Sequence, residues 1–299
     1  MNKMNVVGVV VTFAADIDPF SSLNDILDAL DHLIVVDNCP NGHPMLNSLS
    51  PGQKVTVIAN FNQGGLAGAY NAALRKISDD HPLATHILYL DDDTDIAAIR
   101  RFLAADNTSR FANDPGIAAV APIYIERSTG LQCAPIKLDR FAYTMYPRNL
   151  SAPTDVSFLI NSMSLWRVDA ARNIGMYSTK LGVDHIDTDY CLRAALSGYR
   201  LVIDPTLSFQ HAIGQRVAYR LFGKTLQSGG HGPLRRNMIA RNTVLLAKRY
   251  FWHYPAFAML CILRLGYELV GIVVAEENAW KKTSAVLKGT LQGIFGRYR

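Results

Sequence analysis

Ile87-Leu88-Tyr89-Leu90-Asp91-Asp92-Asp93 sets four apolar, strand-forming residues directly against three acids. The apolar run predicts a buried strand that stops where the carboxylates begin. Three adjacent carboxylates repel one another, so holding all of them ionised favours a compensating cation. Their hard oxygens suit Mg2+ or Mn2+, ions that also bind phosphate. The alternative is a solvated acidic turn, with Thr94 and Asp95 capping the next helix. Upstream, Val6–Val11, Leu33–Val36 and Val55–Ala59 also read as strands. Leu23–Leu30 and the segment Gly64–Leu74 read as helices. Alternating strands and helices with short connections predict an α/β fold, with a mostly parallel sheet flanked by helices. Ligands of such sheets sit beyond the carboxyl ends of the strands. Thr12, Asp37, Asn38, Asn60, Asn62 and Asp91 to Asp93 all occupy such positions.

Downstream, Ile117–Pro122 and Val156–Ile160 read as strands, separated by an irregular stretch over 123–153 that suits a hairpin or loop over the site. Asp184–Ser197 reads as a helix. Leu201–Ile203 reads as a strand stopped by Asp204-Pro205, Gly223–Pro233 as a loop, and Asn237–Arg249 as a helix. Residues 1–220 are expected to form the catalytic domain and 221–299 a helical, basic and apolar extension. Apolar residues at 49% and charged residues at 18% exclude a disordered chain. From Arg235 onward there are eleven Lys and Arg against three acids, whereas the rest carries 19 basic and 22 acidic residues. Such a basic tail predicts an anionic surface or a phosphate-bearing ligand. The body lacks aromatic-interleaved basic stripes, so nucleic acid is not an expected partner. Four scattered cysteines without metal-site spacing suit free thiols in a reducing cytosol.

Three further segments carry chemistry. Asn60-Phe-Asn-Gln-Gly-Gly-Leu-Ala-Gly-Ala-Tyr-Asn71 opens a helix with glycines after a strand, where backbone amides can approach a ligand, Gly65 among them. Tight helix–sheet packing through small residues is the alternative. Asp184, Asp187 and Asp189 crowd one helix start, where carboxylates favour the positive helix end. One can face a cleft as a base while another anchors the helix. His211, in Phe209-Gln-His-Ala-Ile-Gly214, gains meaning only in company.

In this order the segments resemble the family 2 glycosyltransferases, which adopt the GT-A fold, and most of all the bacterial rhamnosyltransferases of polysaccharide assembly. The likeness runs from Val9-Val-Val-Thr-Phe13 through Val36-Asp-Asn38, Asn60–Asn71 and Tyr89-Leu-Asp-Asp-Asp-Thr94. It continues through Asp187-Thr-Asp-Tyr-Cys-Leu-Arg193, His211-Ala-Ile-Gly214 and Arg241-Asn242 to Leu287-Lys-Gly-Thr-Leu-Gln-Gly293. The resemblance implies an inverting transferase in which Thr12, Asp37, Asn38, Asn62, Gly65, Asp91, Asp92 and Arg241 hold the donor. It implies Asp93 and His211, with Asp91, as ligands of Mg2+ or Mn2+. It also implies Asp187 as general base, with Asp184 and Asp189 toward the acceptor. The family's Glu-Asp-x-Asp motif reads Ile186-Asp187-Thr188-Asp189 here, so its leading Glu is absent and Asp184 remains a rival base. Arg235, Arg236 or Arg241 is expected to assist the departing diphosphate.

The implied donor is a nucleotide sugar, dTDP-rhamnose, and the implied acceptor a saccharide or lipid-linked oligosaccharide. A galactofuranosyl- or other hexosyltransferase is the nearest alternative, and a non-catalytic nucleotide-binding scaffold the alternative of another class. A nucleotidyltransferase fits less well, because Thr12-Phe-Ala-Ala-Asp-Ile-Asp18 carries no Lys or Arg. Tyr254–Ala275 is long enough to span a bilayer, but Arg264 and Glu268 interrupt it. An in-plane helix on the cytoplasmic face of an anionic membrane is expected, or a core or homo-oligomer interface helix.

Overall fold

The computed structural model describes residues 4–13, 23–43, 46, 54–91, 94, 96–127, 129–211, 217–221 and 223–298. The chain forms two compact units, Met1–Ile125 with Pro147–Gln210, and Glu126–Tyr146 with His211–Arg299.

The elements of the first half are β1 (Val6–Thr12), α1 (Leu23–Ala29), β2 (His32–Asp37), β3 (Val55–Ala59), α2 (Gly65–Asp80), β4 (His86–Leu90), α3 (Ile96–Ala104), α4 (Asp106–Ala112) and β5 (Ile117–Glu126). Then come β6 (Ile136–Leu138), β7 (Tyr143–Met145), β8 (Thr154–Val156), β9 (Ser164–Arg167), α5 (Val168–Ile174), α6 (Ile186–Leu196) and β10 (Arg200–His211). Eight strands make one sheet in the order β3-β2-β1-β4-β9-β5-β10-β8. β1, β2 and β4 are near-continuous apolar runs buried along their length, as strands covered on both faces must be. They pair in parallel, Val9 with Ile34 on one side and with Tyr89 on the other. The register sets Thr12 beside Asp37, and Asp37 beside Ala59. It also pairs Leu90 with Val10, so Asp91 leaves the sheet at the same edge. That edge carries the site.

The other half of the sheet departs from a simple parallel array. β9, which sequence reading passes over, enters antiparallel between β4 and β5, with Tyr89 opposite Ser164 and Val120 opposite Leu165. Four residues give too short a run to declare a strand locally; the two neighbours supply it. The strand expected over Val156–Ile160 is Thr154–Val156 instead. β10 does not stop at Asp204-Pro205 but continues to His211. Its partner β8 pairs only Leu201, Val202 and Ile203, so the N–H that Pro205 lacks is not required on that side.

In the second unit β6 and β7 form a short hairpin, and β11 (Val217–Leu221) pairs antiparallel with β12 (Lys224–Ser228), the latter inside the stretch Gly223–Pro233 expected to be loop. Three helices follow: α7 (Pro233–Tyr250), α8 (Pro255–Ala275) and α9 (Ala279–Phe295). Pro233 and Pro255 sit in first turns, where a missing N–H costs no helical bond. α9 rests directly on α7: a Cβ at Gly289 would lie 2.2 Å from the Asn237 carbonyl oxygen, and one at Gly293 2.8 Å from that of Arg241. Ala240, Ile272 and Val286 close the small core between the three helices.

Candidate active site

At the carboxyl edge of the parallel strands the polar side chains hold one another. The Thr12 N–H and carbonyl belong to the strand end, where its carbonyl accepts the Asn38 N–H at 2.9 Å. The Asp37 carboxylate braces the turn that follows β2: Oδ1 accepts the Cys39 N–H at 3.0 Å and Oδ2 the His43 N–H at 2.8 Å. Asn60 donates to Asn38 Oδ1 at 2.7 Å, and Asn38 donates to Asn62 Oδ1 at 3.3 Å. This amide chain ties the ends of β2 and β3. Phe61 and Asn62 both adopt positive φ, at 49° and 58°, a conformation that bulky side chains rarely take outside constrained turns.

The glycines of the next segment are accounted for by packing. Gly65 has φ 65°, and a Cβ there would sit 2.8 Å from the Gly182 carbonyl oxygen. That same oxygen accepts the Ala67 N–H at 3.1 Å. The start of α2 is therefore clasped to the turn that leads into α6. Asn71 and Tyr177 add a second clasp, the Asn71 amide donating to the Tyr177 carbonyl at 2.9 Å and accepting its N–H at 2.7 Å.

α6 begins at Ile186, two residues later than expected, because His185 takes a left-handed conformation at φ 70°. Asp184 consequently lies in the turn before the helix, half-buried. Asp187 is in the first turn, also half-buried, and its Oδ2 accepts the Asn161 N–H at 3.4 Å. Asp189, expected with Asp184 to meet the acceptor, is only 1% exposed and pairs with Arg193 Nε at 3.0 Å. Arg193 also donates to the Ile174 carbonyl at 2.8 Å. Asp189 anchors the helix, and its burial leaves no path to a sugar hydroxyl.

Behind these acids lies a group of buried rings that sequence reading does not single out. Tyr70 packs on Tyr89 with centroids 4.9 Å apart, and Tyr177 stacks on Tyr190 at 4.0 Å. Burial first, then the charges of Asp187 and Asp91, push the Tyr70 hydroxyl well above its ordinary range. Two carboxylates, one from the end of β4 and one from α6, thus act on a single buried hydroxyl. The alternating tyrosines gave no local signal, because their common neighbourhood exists only once α2, β4 and α6 are assembled. Burial likewise pushes the Cys191 thiol up to about 12, which makes it an inert core residue.

Asp91 is half-buried, and its backbone N–H donates to Thr94 Oγ1 at 2.9 Å. Asp92 and Asp93 lie outside the described residues. His211 closes β10 and is counted in the second unit, where its carbonyl accepts the Arg127 N–H at 3.0 Å. Arg241, on α7, bonds the Asn242 side chain at 2.9 Å. Arg236 is not available to a diphosphate: it is 1% exposed and is bonded to Glu268, Glu276 and Ser228. Among the described residues, no three His, Cys, Asp or Glu side chains gather into a metal site. Of the expected metal ligands, Asp91 offers the hard carboxylate oxygen that Mg2+ or Mn2+ prefers, at the carboxyl edge of the sheet.

A sheet of this order, with Asp91 just after β4 and Asp187 in the first turn of α6, is that of the GT-A fold. Residues 20–175 match the family described as glycosyl transferase family 2, and the chain belongs to that family. It is 24% identical over 298 residues to a dTDP-rhamnosyl transferase, RfbF, of Shigella flexneri, covering 98% of this chain and 96% of that one. Its fold matches a crystal structure of GalNAc-T7 with UDP, GalNAc and Mn2+, at a TM-score of 0.53 and 16% identity. That match covers 80% of this chain, which spans 47% of the other. The protein is a glycosyltransferase acting on nucleotide-sugar donors.

Proposed function

We propose that the protein is an inverting rhamnosyltransferase, moving L-rhamnose from dTDP-rhamnose to a saccharide acceptor, lipid-linked, in surface polysaccharide synthesis. The full-length likeness to a dTDP-rhamnosyl transferase supports the donor. The observation that carries the chemistry is Asp187, half-buried in the first turn of α6 and steadied by the Asn161 N–H. In the reaction the acceptor hydroxyl oxygen bonds to the anomeric carbon, its proton passes to Asp187, and the bond to the diphosphate breaks. Asp184 stands at the acceptor side. Thr12, Asp37, Asn38, Asn62, Gly65, Asp91, Asp92 and Arg241 make up the donor side, with the Asn38–Asn60–Asn62 amides holding the loop that faces the nucleoside. Asp93, His211 and Asp91 would hold Mg2+ or Mn2+, which supplies Lewis-acid neutralisation of the leaving diphosphate when bound. The Mn2+ in the GalNAc-T7 structure supports this cofactor.

Residues 1–220 form the catalytic region in this reading. Residues 221–299 attach the protein to the anionic cytoplasmic face of the cell membrane, where a lipid-linked acceptor is presented. A panel of nucleotide sugars, scored by release of nucleoside diphosphate, tests the donor. dTDP-rhamnose is expected to turn over fastest. Preference for UDP-galactofuranose would replace rhamnose by another hexose, and nucleotide binding without turnover of any donor would contradict catalysis.

A further inference from the structure

α8 turns its apolar side outward. Ala256, Phe257, Cys261 and Ile272 are buried against the protein, while Met259, Ile262, Leu263, Val270, Val273 and Val274 are exposed. The exposed set recurs at helical spacing and forms one stripe without a charge along about four turns. An 18-residue window of α8 has a mean hydropathy of 2.0, with only 28% of it buried. Its single acid, Glu268, is bonded to the buried Arg236, so the helix is fixed to the protein by its inner side. Trp252 precedes the helix at 79% exposure and Trp280 follows it at 82%. A cavity of about 420 Å³ between α7 and α8, lined by Lys248, Phe251, Trp252, Ile262 and Leu265 among others, opens along the same stripe.

The charge of the helical region that carries this face points to its occupant. Glu268 and Glu276 are both consumed internally, by Arg236 and, for Glu276, also by Lys282. Beyond Pro233, Glu277 is the one exposed acid among the described residues, against exposed Arg235, Arg249, Arg264, Lys281, Lys288 and Arg297, while Lys248 is bonded to the carbonyls that end α9. A two-fold self-association would set this patch against its own copy and bring like charges together. An anionic bilayer meets both properties: acyl chains for the stripe, headgroups for the cations.

We propose that α8 lies in the plane of an anionic membrane surface, its Met259–Val274 stripe inserted among the acyl chains. Trp252 and Trp280 mark the two ends at headgroup level, the depth that indole rings favour. This rests on the membrane attachment proposed above and names the face that makes it. Flotation with phosphatidylcholine vesicles, with and without phosphatidylglycerol, tests it on the full chain, beside Ile262→Asp and Val273→Asp. Both residues are 64% exposed and neither belongs to the catalytic machinery.

The wild type is expected to float with the anionic vesicles alone, with a blue-shifted tryptophan emission. Each variant is expected to lose at least tenfold in binding while its melting temperature and donor turnover with a soluble acceptor are kept. Charge reversal by Arg249→Glu with Lys281→Glu should weaken flotation without touching the stripe. Wild-type flotation that both Asp variants retain would overturn the α8 face and leave the attachment standing. No flotation of the wild type would overturn both. A wild-type dimer that Val273→Asp turns into a monomer, without vesicle binding, would make the stripe an interface between copies of this chain.

Discussion

Asp187 and Glu276 are both acids near helix termini, yet the two units treat them oppositely. Asp187 is half-buried, and its Oδ2 accepts the Asn161 N–H at 3.4 Å. Glu276 is enclosed by Arg236, Ser228, Lys282 and the Gly230 N–H. Burial acts to raise the Glu276 carboxyl, but its bonds from Lys282 and Ser228, the Arg236 charge and the Gly230 amide together hold it down at about 2. A carboxylate bonded on every side stabilises a fold and is useless as a base, because protonating it breaks the bonds that hold it. A carboxylate half open to solvent can take a proton and return it. The contrast separates an acid that builds the molecule from the one proposed to act as the base.

The sharpest break would come from metal removal. The acids at the first unit's edge are expected to need a cation, so EDTA should abolish turnover, and Mn2+ or Mg2+ should restore it. Metal-independent turnover would dismiss the roles given to Asp93 and His211. Next in size is Arg236→Met. It leaves Glu268 and Glu276 buried without their shared partner, and such losses cost about 3–5 kcal/mol. Chemical denaturation should show the loss, and an unchanged midpoint would mean that the network is dispensable.

Asp189→Asn sharpens the comparison inside one helix. It removes a charged bond behind the site, worth roughly 1.5–3 kcal/mol, so stability should fall while kcat per folded molecule changes little. A large kcat loss at unchanged stability would return Asp189 to the acceptor side. The smallest effect is acid sensitivity. Because the Glu276 carboxyl is depressed in the folded state, its contribution is complete above about 4.5, the ordinary glutamate value, and is lost as pH falls toward about 2. Thermal melts of the wild type against Glu276→Gln should converge over that window.

The parallel half of the sheet was legible because β1, β2 and β4 are buried apolar runs ending in polar residues, a pattern written locally. Asp37, Asn38, Asn62 and Asp91 could be placed for the same reason. β9 and the tail of β10 were not legible, since Ser164–Arg167 becomes a strand only between β4 and β5, and Pro205 is tolerated only because β8 ends at its side. α9 falls in the extension expected to be helical, but its bounds were not legible, because it packs on α7 backbone through Gly289 and Gly293, which read in sequence as helix weakeners. The division of labour among Asp184, Asp187 and Asp189 depended on where α6 begins, and the left-handed His185 decided that.

The most direct test pairs two readings on Asp187→Asn: donor affinity by calorimetry and transfer rate to acceptor. A base that touches only the acceptor's proton should leave the dissociation constant for the nucleotide sugar within about threefold while transfer falls by at least ~10²-fold. Transfer at the wild-type rate in a variant that still binds donor would contradict the assignment of Asp187 as the base.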